Sequence, residues 1–296
     1  MAFAFRRTES VPAGIRRVAN EEMRNAEAEL LDTDMPGARA VHETRKRLKR
    51  LRALLRLVEP ALPGEAFRER NRVFRDLGRA LSGARDAEVV LATLRTLTGD
   101  SGLPSVNRLE DYLAARNAPE PAGGQSLELQ RQYVAGVLRE TRAEFLALPL
   151  RRKGFALLGP GLERTYRRGR EALGGAIEDP DDTRWHAWRK RVKEHWSHLR
   201  LLQPVWPEVM QSHVGALEAL SDLLGDEHDL TVLSATLDGL PEGVIDTETH
   251  AGLRRQLADH KALLRHQALP LGQRLYAEKP KAMRIRLHAY WRVWRS

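Results

Sequence analysis

The sequence contains no cysteine, which excludes disulfide bonds, thiolate zinc sites, thiol redox chemistry and cysteine nucleophiles. No apolar run approaches the roughly 20 residues that a membrane-spanning helix needs. The opening residues, MAFAFRRTES, lack the apolar stretch and the small-residue cleavage site of a secretory signal. We therefore expect a cytoplasmic protein without disulfides and without a membrane partner.

Several enzyme signatures are missing as well. The chain has no GxxxxGK[S/T] loop, no GxGxxG segment opening a helix and no GxSxG elbow. No glutamate stands three residues before a histidine, so the Glu-x-x-His motif of di-iron bundles is also absent. We expect no catalytic residues, no cofactor and no bound metal.

What the sequence does have is positive charge. Its 49 Lys and Arg residues outnumber its 40 Asp and Glu residues, giving a net charge of +9. This balance fits either an arginine-rich chain with no special partner or a protein that binds a polyanion. Hydrophobic residues make up 42 % of the chain, enough for a sizeable core.

Basic residues are arranged most regularly in Val41–Pro60, VHETRKRLKRLRALLRLVEP. Wound as an α-helix at about 100° per residue, this segment has a stripe about 120° wide that holds only basic side chains. They are His42, Arg45, Lys46, Lys49, Arg52 and Arg56. Leucine and valine fill the opposite face, which predicts an amphipathic helix. Because like charges this close repel by a few tenths of a kcal/mol per pair, the stripe indicates an anion-binding surface.

The pattern recurs 144 residues later, in Trp185–Pro204, WHAWRKRVKEHWSHLRLLQP. The matching basic positions are His186, Arg189, Lys190, Lys193 and Arg200. The departures are Trp196 in place of Arg52 and His195 in place of Leu51. This repetition predicts an internal duplication, with one helical bundle at residues 1–150 and a similar one at 151–296.

Apolar residues recur at helical spacing along most of the chain, and few segments alternate as strands do, so we predict an all-α fold. Pro149–Pro160 is predicted to separate the halves, and Gly225–Asp226 to break a helix. Arg85–Asp86 and His228–Asp229 occupy matching positions, and each pair is predicted to open a helix. An Asp there can cap the first turn, and its basic neighbour can face the same anion.

Some histidines and tryptophans allow two interpretations. The first histidine of each stripe lies among cations, and the nearest carboxylate, Glu43, is about 100° around the helix. This disfavours a metal and favours a phosphate-facing or Asp-paired imidazole. His195 falls on the buried side, which predicts a core histidine with a polar partner. Trp185 and Trp188 fall on the apolar face, so we interpret them as packing residues rather than base-stacking platforms.

These features resemble the CHAD (conserved histidine α-helical domain) family, whose hallmark is a helix beginning His-x-x-Arg-Lys-x-x-Lys. Arg85–Asp86 and His228–Asp229 are similar to its second hallmark, and Tyr166–Arg170 (YRRGR) and the ending LYAEKPKAMRIRLHAYWRVW also look familial. The resemblance implies two pseudo-symmetric bundles around a basic central channel that binds inorganic polyphosphate. Triphosphate-tunnel enzyme domains often accompany such domains, but their Glu-x-Glu-x-Lys motif is missing here. The resemblance therefore implies a stand-alone, non-catalytic binding module.

Polyphosphate offers charge but no base edges, so arginine forks and lysine point charges are the groups that recognise it. We expect both stripes to bind it, with Arg85, Arg170 and His228 as further candidate ligands. RNA or another nucleic acid is the alternative partner, because a basic groove attracts it too. An enzyme that cleaves or extends polyphosphate would need a carboxylate cluster for Mg²⁺, which the stripes lack. Granule targeting, storage, regulation and scaffolding are all compatible with such binding.

Overall fold

The computed structural model describes residues 3–81, 83–99, 103–117 and 123–296. Within these ranges the chain forms eleven α-helices and two short 3₁₀ turns and has no β-strand, which confirms the predicted all-α fold. The helices are α1 (Val11–Leu31), α2 (Gly37–Val58), α3 (Gly64–Ala80), α4 (Gly83–Thr98), α5 (Pro104–Asn117), α6 (Gly123–Leu146), α7 (Phe155–Glu178), α8 (Asp182–Leu202), α9 (Pro207–Asp238), α10 (Thr247–Leu275) and α11 (Pro280–Arg295). None of the helices in the described ranges is long and apolar enough to cross a membrane.

The two basic stripes lie on α2 and α8. α8 begins after Asp181, whose carboxylate accepts a hydrogen bond of 2.7 Å from the backbone N–H of Arg184 and so caps the first turn. Each of the two helices passes directly into a 3₁₀ turn that contains a proline, Pro60 after α2 and Pro204 after α8. Proline lacks the N–H that would continue the helix, so both elements end where the sequence predicted.

α9 differs from the prediction because it is continuous. The helix runs from Pro207 to Asp238, so Gly225–Asp226 does not break it and His228–Asp229 does not open a new one. Leu224 and Leu230 are buried on either side of the glycine. Their packing outweighs the roughly 1 kcal/mol that a glycine costs inside a helix.

α7 also differs, because it includes Pro160 within the segment predicted to separate the halves. A proline at this position removes one backbone hydrogen bond of the helix. Leu158 and Leu162 are fully buried on either side of it, and their packing offsets that loss.

The apolar helix faces form one large core and one small one. The large core takes side chains from α1–α3 and α6–α11, including Ile15 and Trp188. The small cluster joins α4, α5, α9 and α10, with Leu94 and Leu233 at its centre. α1 packs on α2 and α6, while α8 packs on α7 and α9. The duplication and the division at residue 150 stay predictions.

α2 makes two close contacts with later helices, one with α7 and one with α8. A Cβ atom at Gly161 of α7 would lie 1.8 Å from the carbonyl oxygen of Leu57, so only glycine allows α7 to approach α2 this closely. On α8, Nε2 of the buried His198 lies 2.8 Å from the carbonyl oxygen of Ala53. These contacts hold α2 against α7 and α8 near the C-terminal end of its basic stripe.

Candidate anion-binding site

The contact between α2 and α8 brings part of each basic stripe into one group, which we call the basic cluster. It consists of Lys49, Arg52 and Arg56 from α2 with Arg189, Lys190 and Lys193 from α8. Burial lowers the pKa of Lys190, and like charge from Arg52 and Arg56 lowers it further. Since such coupling requires proximity, predicted residues from the two stripes lie close together.

Lys193 has a strongly lowered pKa. Burial lowers its pKa to about 8, and the like charges of Arg189 and Lys49 act in the same direction. Burial also lowers the pKa of Arg189, whose buried Nε atom has no hydrogen-bond partner among the described residues. At both side chains, a bound anion would reduce the repulsion between like charges and offset the cost of burying a charged group.

A histidine pair borders the basic cluster. The rings of His186 on α8 and His228 on α9 stack with their centroids 4.2 Å apart and their planes at 28°. Burial lowers both pKa values to about 4, and the charge of Arg189 adds to the effect on each ring. Both rings are therefore neutral near pH 7. The predicted candidate His228 thus lies beside the second stripe, even though it does not open a helix.

Near the beginning of α2, the stripe meets polar groups of the protein itself. Lys46 Nζ lies 3.0 Å from a carboxylate oxygen of Glu43, and His42 Nε2 lies 3.7 Å from the same oxygen. Although Glu43 lies about 100° around the helix, its flexible side chain therefore reaches the stripe. Arg45 donates a hydrogen bond of 3.0 Å to the carbonyl oxygen of Leu81. Farther along α2, Arg52 donates one of 3.1 Å to Asn71.

Carboxylates also lie near the basic cluster, and among them the sequence predicted a role only for Asp229, as a helix cap. The nearly buried Glu194 of α8 forms salt bridges with Arg56 and, at 2.8 Å, with Arg191. Nothing in the sequence distinguishes Glu194 from a solvated helix residue.

α9 adds a second set of carboxylates. Asp226 and Asp229 act electrostatically on Arg189, and Asp222 and Asp229 act on Lys193. Burial, and then the charges of Asp229 and Asp222, raise the pKa of Asp226. Because α9 is continuous, their spacing of four and three residues places these three carboxylates on one helix face. Among the described residues, no group of three or more histidines and carboxylates is arranged to hold a metal ion.

Three predicted residues lie elsewhere or outside the described side chains. The guanidinium of Arg200 lies 4.9 Å from the ring centroid of Trp196, and its pKa is lowered by burial and then by Arg50. Arg170 donates a hydrogen bond of 3.0 Å to the carbonyl oxygen of Glu278, in the segment before α11. The side chain of Arg85 is not among those that the structure describes.

The aromatic residues of α8 belong to the core. Trp185 and Trp188 are 2 % and 0 % exposed, which confirms that they pack inside rather than present stacking surfaces. His195 is buried as predicted and meets Tyr166 edge to face, with ring centroids 5.3 Å apart. Neither ring nitrogen of His195 has a hydrogen-bond partner among the described residues, so the predicted polar partner is wrong. Burial lowers its pKa to about 3, which keeps the ring neutral.

Comparison with known proteins gives a family and a fold. Residues 17–238 match the family model described as CHAD domain. The crystal structure of the CHAD domain from the plant Ricinus communis is similar to this chain, with a TM-score of 0.61 and 18 % sequence identity over 98 % of this chain and 95 % of that one. At this identity the likeness shows the fold alone. No curated protein sequence matches the chain at a significant level.

Proposed function

The chain belongs to the CHAD-domain family, and on this basis we propose that its basic cluster binds inorganic polyphosphate without catalysing a reaction on it. The ligands would be the basic cluster itself together with the other stripe residues of α2, His186 of α8 and His228. The cytoplasmic location and an association with polyphosphate granules stay predictions.

One observation carries the proposal: lysines and arginines from two helices lie close together, and Arg52, Arg56, Arg189 and Lys193 among them are partly buried. Burial, and then the charges of Arg189 and Lys49, lower the pKa of Lys193 to about 8. An arrangement that lowers the pKa of a lysine destabilises the free protein. A bound anion offsets the repulsion between the cations and compensates for the water that the buried lysine has lost. A chain of phosphates carries about one negative charge per unit, so one flexible chain can supply charges to cations on successive helix turns, which are about 5 Å apart.

A nucleic acid is the second candidate, since phosphate contacts alone provide most of its non-specific affinity. Single-stranded binding usually adds base stacking on exposed aromatic rings. Trp185 and Trp188 are unable to stack on bases because they are buried. Trp206, just before α9, is 44 % exposed, but its ring centroid lies 4.9 Å from that of Tyr290 on α11. The burial of Trp185 and Trp188 on α8 therefore favours polyphosphate over nucleic acid.

The decisive experiment is a titration of labelled polyphosphate at about 150 mM salt, where the screening length is about 8 Å. We expect Lys49→Glu/Lys193→Glu to weaken binding by at least about 100-fold, because each reversal replaces attraction by repulsion. The matched control is Arg255→Glu/Arg274→Glu, which makes the same change in net charge at exposed positions of α10. We expect this control to weaken binding by less than about threefold, a change below 1 kcal/mol.

Competition with tRNA separates the two candidate functions. If polyphosphate remains bound when tRNA is present at the same phosphate concentration, the basic cluster selects polyphosphate. If tRNA displaces it, the nucleic-acid function takes first place. If the control variant loses as much affinity as the basic-cluster variant, binding depends on net charge and the proposed site is wrong.

A further inference from the structure

A separate cavity of about 260 Å³ lies between α1, α2, the end of α8 and the N-terminal segment. It is lined by Phe3, Glu22, Asn25, Arg47, Arg50, Arg200 and Gln203. Three guanidinium groups and one carboxylate give this lining a formal charge of +2. Arg200, which the sequence placed in the predicted polyphosphate site, thus belongs to a different surface.

The three arginines are not equally neutralised. Arg47 donates to Glu29, at 2.8 Å from its Nε atom, and lies 3.4 Å from the buried Glu22. Arg50 shares that same Glu22 oxygen, also at 3.4 Å, which is long for a charge-assisted hydrogen bond. Among the described residues, no carboxylate lies within salt-bridge distance of Arg200. Two half-buried guanidinium groups therefore face the cavity, Arg50 with Glu22 at 3.4 Å and Arg200 with only the more distant charges of Glu218 and Glu22.

Aromatic rings hold these two groups in place. The guanidinium of Arg50 lies 5.7 Å from the ring centroid of Phe3, and that of Arg200 lies 4.9 Å from the ring centroid of Trp196. Cation–π contact of this kind fixes the plane of the guanidinium and leaves its N–H edge available. Asn25 and Gln203 add two amide side chains to the lining. The result is a set of hydrogen-bond donors arranged around an open volume.

The cavity and the basic cluster lie on different faces of α2. Arg50 and Arg52 are two residues apart, which places them about 200° from one another around the helix. Arg47 and Lys49 are likewise two residues apart and lie about 200° from one another around the helix. On α8, Arg200 lies two turns beyond Lys193. An anion in the cavity would therefore not occupy the basic cluster.

We propose that this cavity is a second, independent binding site for a compact dianion of the phosphate class, such as inorganic phosphate or the phosphate group of a small monoester. Each guanidinium fork matches two oxygens of a phosphate. The volume of about 260 Å³ lies near the lower end of the range for small-molecule pockets and has room for a phosphate or a small monoester.

The site is tested by calorimetric titration of Lys49→Gln/Lys193→Gln protein with inorganic phosphate, since this background weakens phosphate binding at the basic cluster. We expect saturable binding of one phosphate with a Kd of about 1 mM or below. Adding Arg200→Gln should weaken it at least about tenfold, because a charge-assisted bidentate contact is lost. Methyl phosphate in a second titration distinguishes the sources: tighter binding than phosphate indicates an organic monoester, and equal or weaker binding indicates free phosphate.

Asn25→Asp is the second variant, because the exposed Asn25 lines the cavity and its replacement adds a negative charge without disturbing the core. We expect it to weaken phosphate binding as Arg200→Gln does, while polyphosphate binding in the otherwise native protein stays unchanged. Absence of phosphate binding up to about 10 mM, or binding that neither variant weakens, overturns the proposal. Loss of polyphosphate binding on Asn25→Asp overturns the independence of the two sites. Failure of polyphosphate to bind the native protein would concern only the proposed function.

Discussion

Lys193 predicts an unusual pH dependence of polyphosphate binding. With a pKa of about 8, this side chain is about nine-tenths protonated at pH 7 but only about 3 % protonated at about pH 9.5. An ordinary lysine, with a pKa of about 10.4, stays mostly charged over the same range. If binding requires the ammonium form, the apparent affinity falls in proportion to the protonated fraction, by about 30-fold.

The assay is a titration of labelled polyphosphate at several pH values at constant ionic strength, with native protein and Lys193→Arg compared in the same buffers. Arginine stays charged throughout, so we expect the variant to lose the steep fall above pH 8 and to change by less than about threefold. Lys190, whose pKa is also lowered by burial, contributes equally to the fall in both proteins. A native protein with the same affinity at pH 7 and about pH 9.5, or a variant that keeps the full fall, would refute the reasoning.

Three further predictions concern stability. Gly161→Ala should lower the free energy of unfolding by more than about 3 kcal/mol in chemical denaturation, because its Cβ would lie 1.8 Å from a backbone oxygen of α2. The control Gly174→Ala, whose Cβ would have nothing within 4 Å, should be neutral or stabilising by up to about 1 kcal/mol. Equal effects of the two variants would show that α2 and α7 are not in close contact. Glu194→Gln should cost about 3 kcal/mol, since it leaves two half-buried arginines without their shared carboxylate, while polyphosphate should bind more tightly; unchanged stability would contradict that salt-bridge network. The pKa values of His186 and His228 are lowered from 6.5 to about 4, so the unfolded chain binds more protons and the melting temperature should fall as pH drops from about 6.5 to about 4. Polyphosphate should reduce this fall, and a variant with glutamine at both positions should show a smaller fall, since the buried His195 and His198 keep their contribution.

The helical fold and the members of the basic stripes could be predicted because they depend on periodicity within single segments. Residues three and four apart share a helix face wherever that helix packs. The same argument placed His195 inside and Trp188 in the core, as the structure confirms. The continuity of α9 across Gly225 could not be predicted, because a local glycine penalty is smaller than the burial of neighbouring leucines, which depends on tertiary contacts.

Which side chains meet where two helices pack could not be predicted from the sequence. Arg200 has the helical phase of Lys193, but it lies two turns farther along α8 and faces Arg50 instead of the basic cluster. Glu194 follows Lys193 directly, yet only the crossing of α8 over α2 decides that its carboxylate meets Arg56. Both outcomes depend on where two helices touch, which a single amphipathic pattern does not specify.

The uninterrupted α9 joins two parts of the protein. Its 32 residues form a rod about 48 Å long at 1.5 Å per residue. One stretch of this rod carries Asp222, Asp226 and His228 beside the basic residues of α8, and the next carries Leu230 and Leu233 into the small outer cluster with α4, α5 and α10. No loop separates these stretches, so a single continuous helix joins the anion-facing side of the protein to its small cluster.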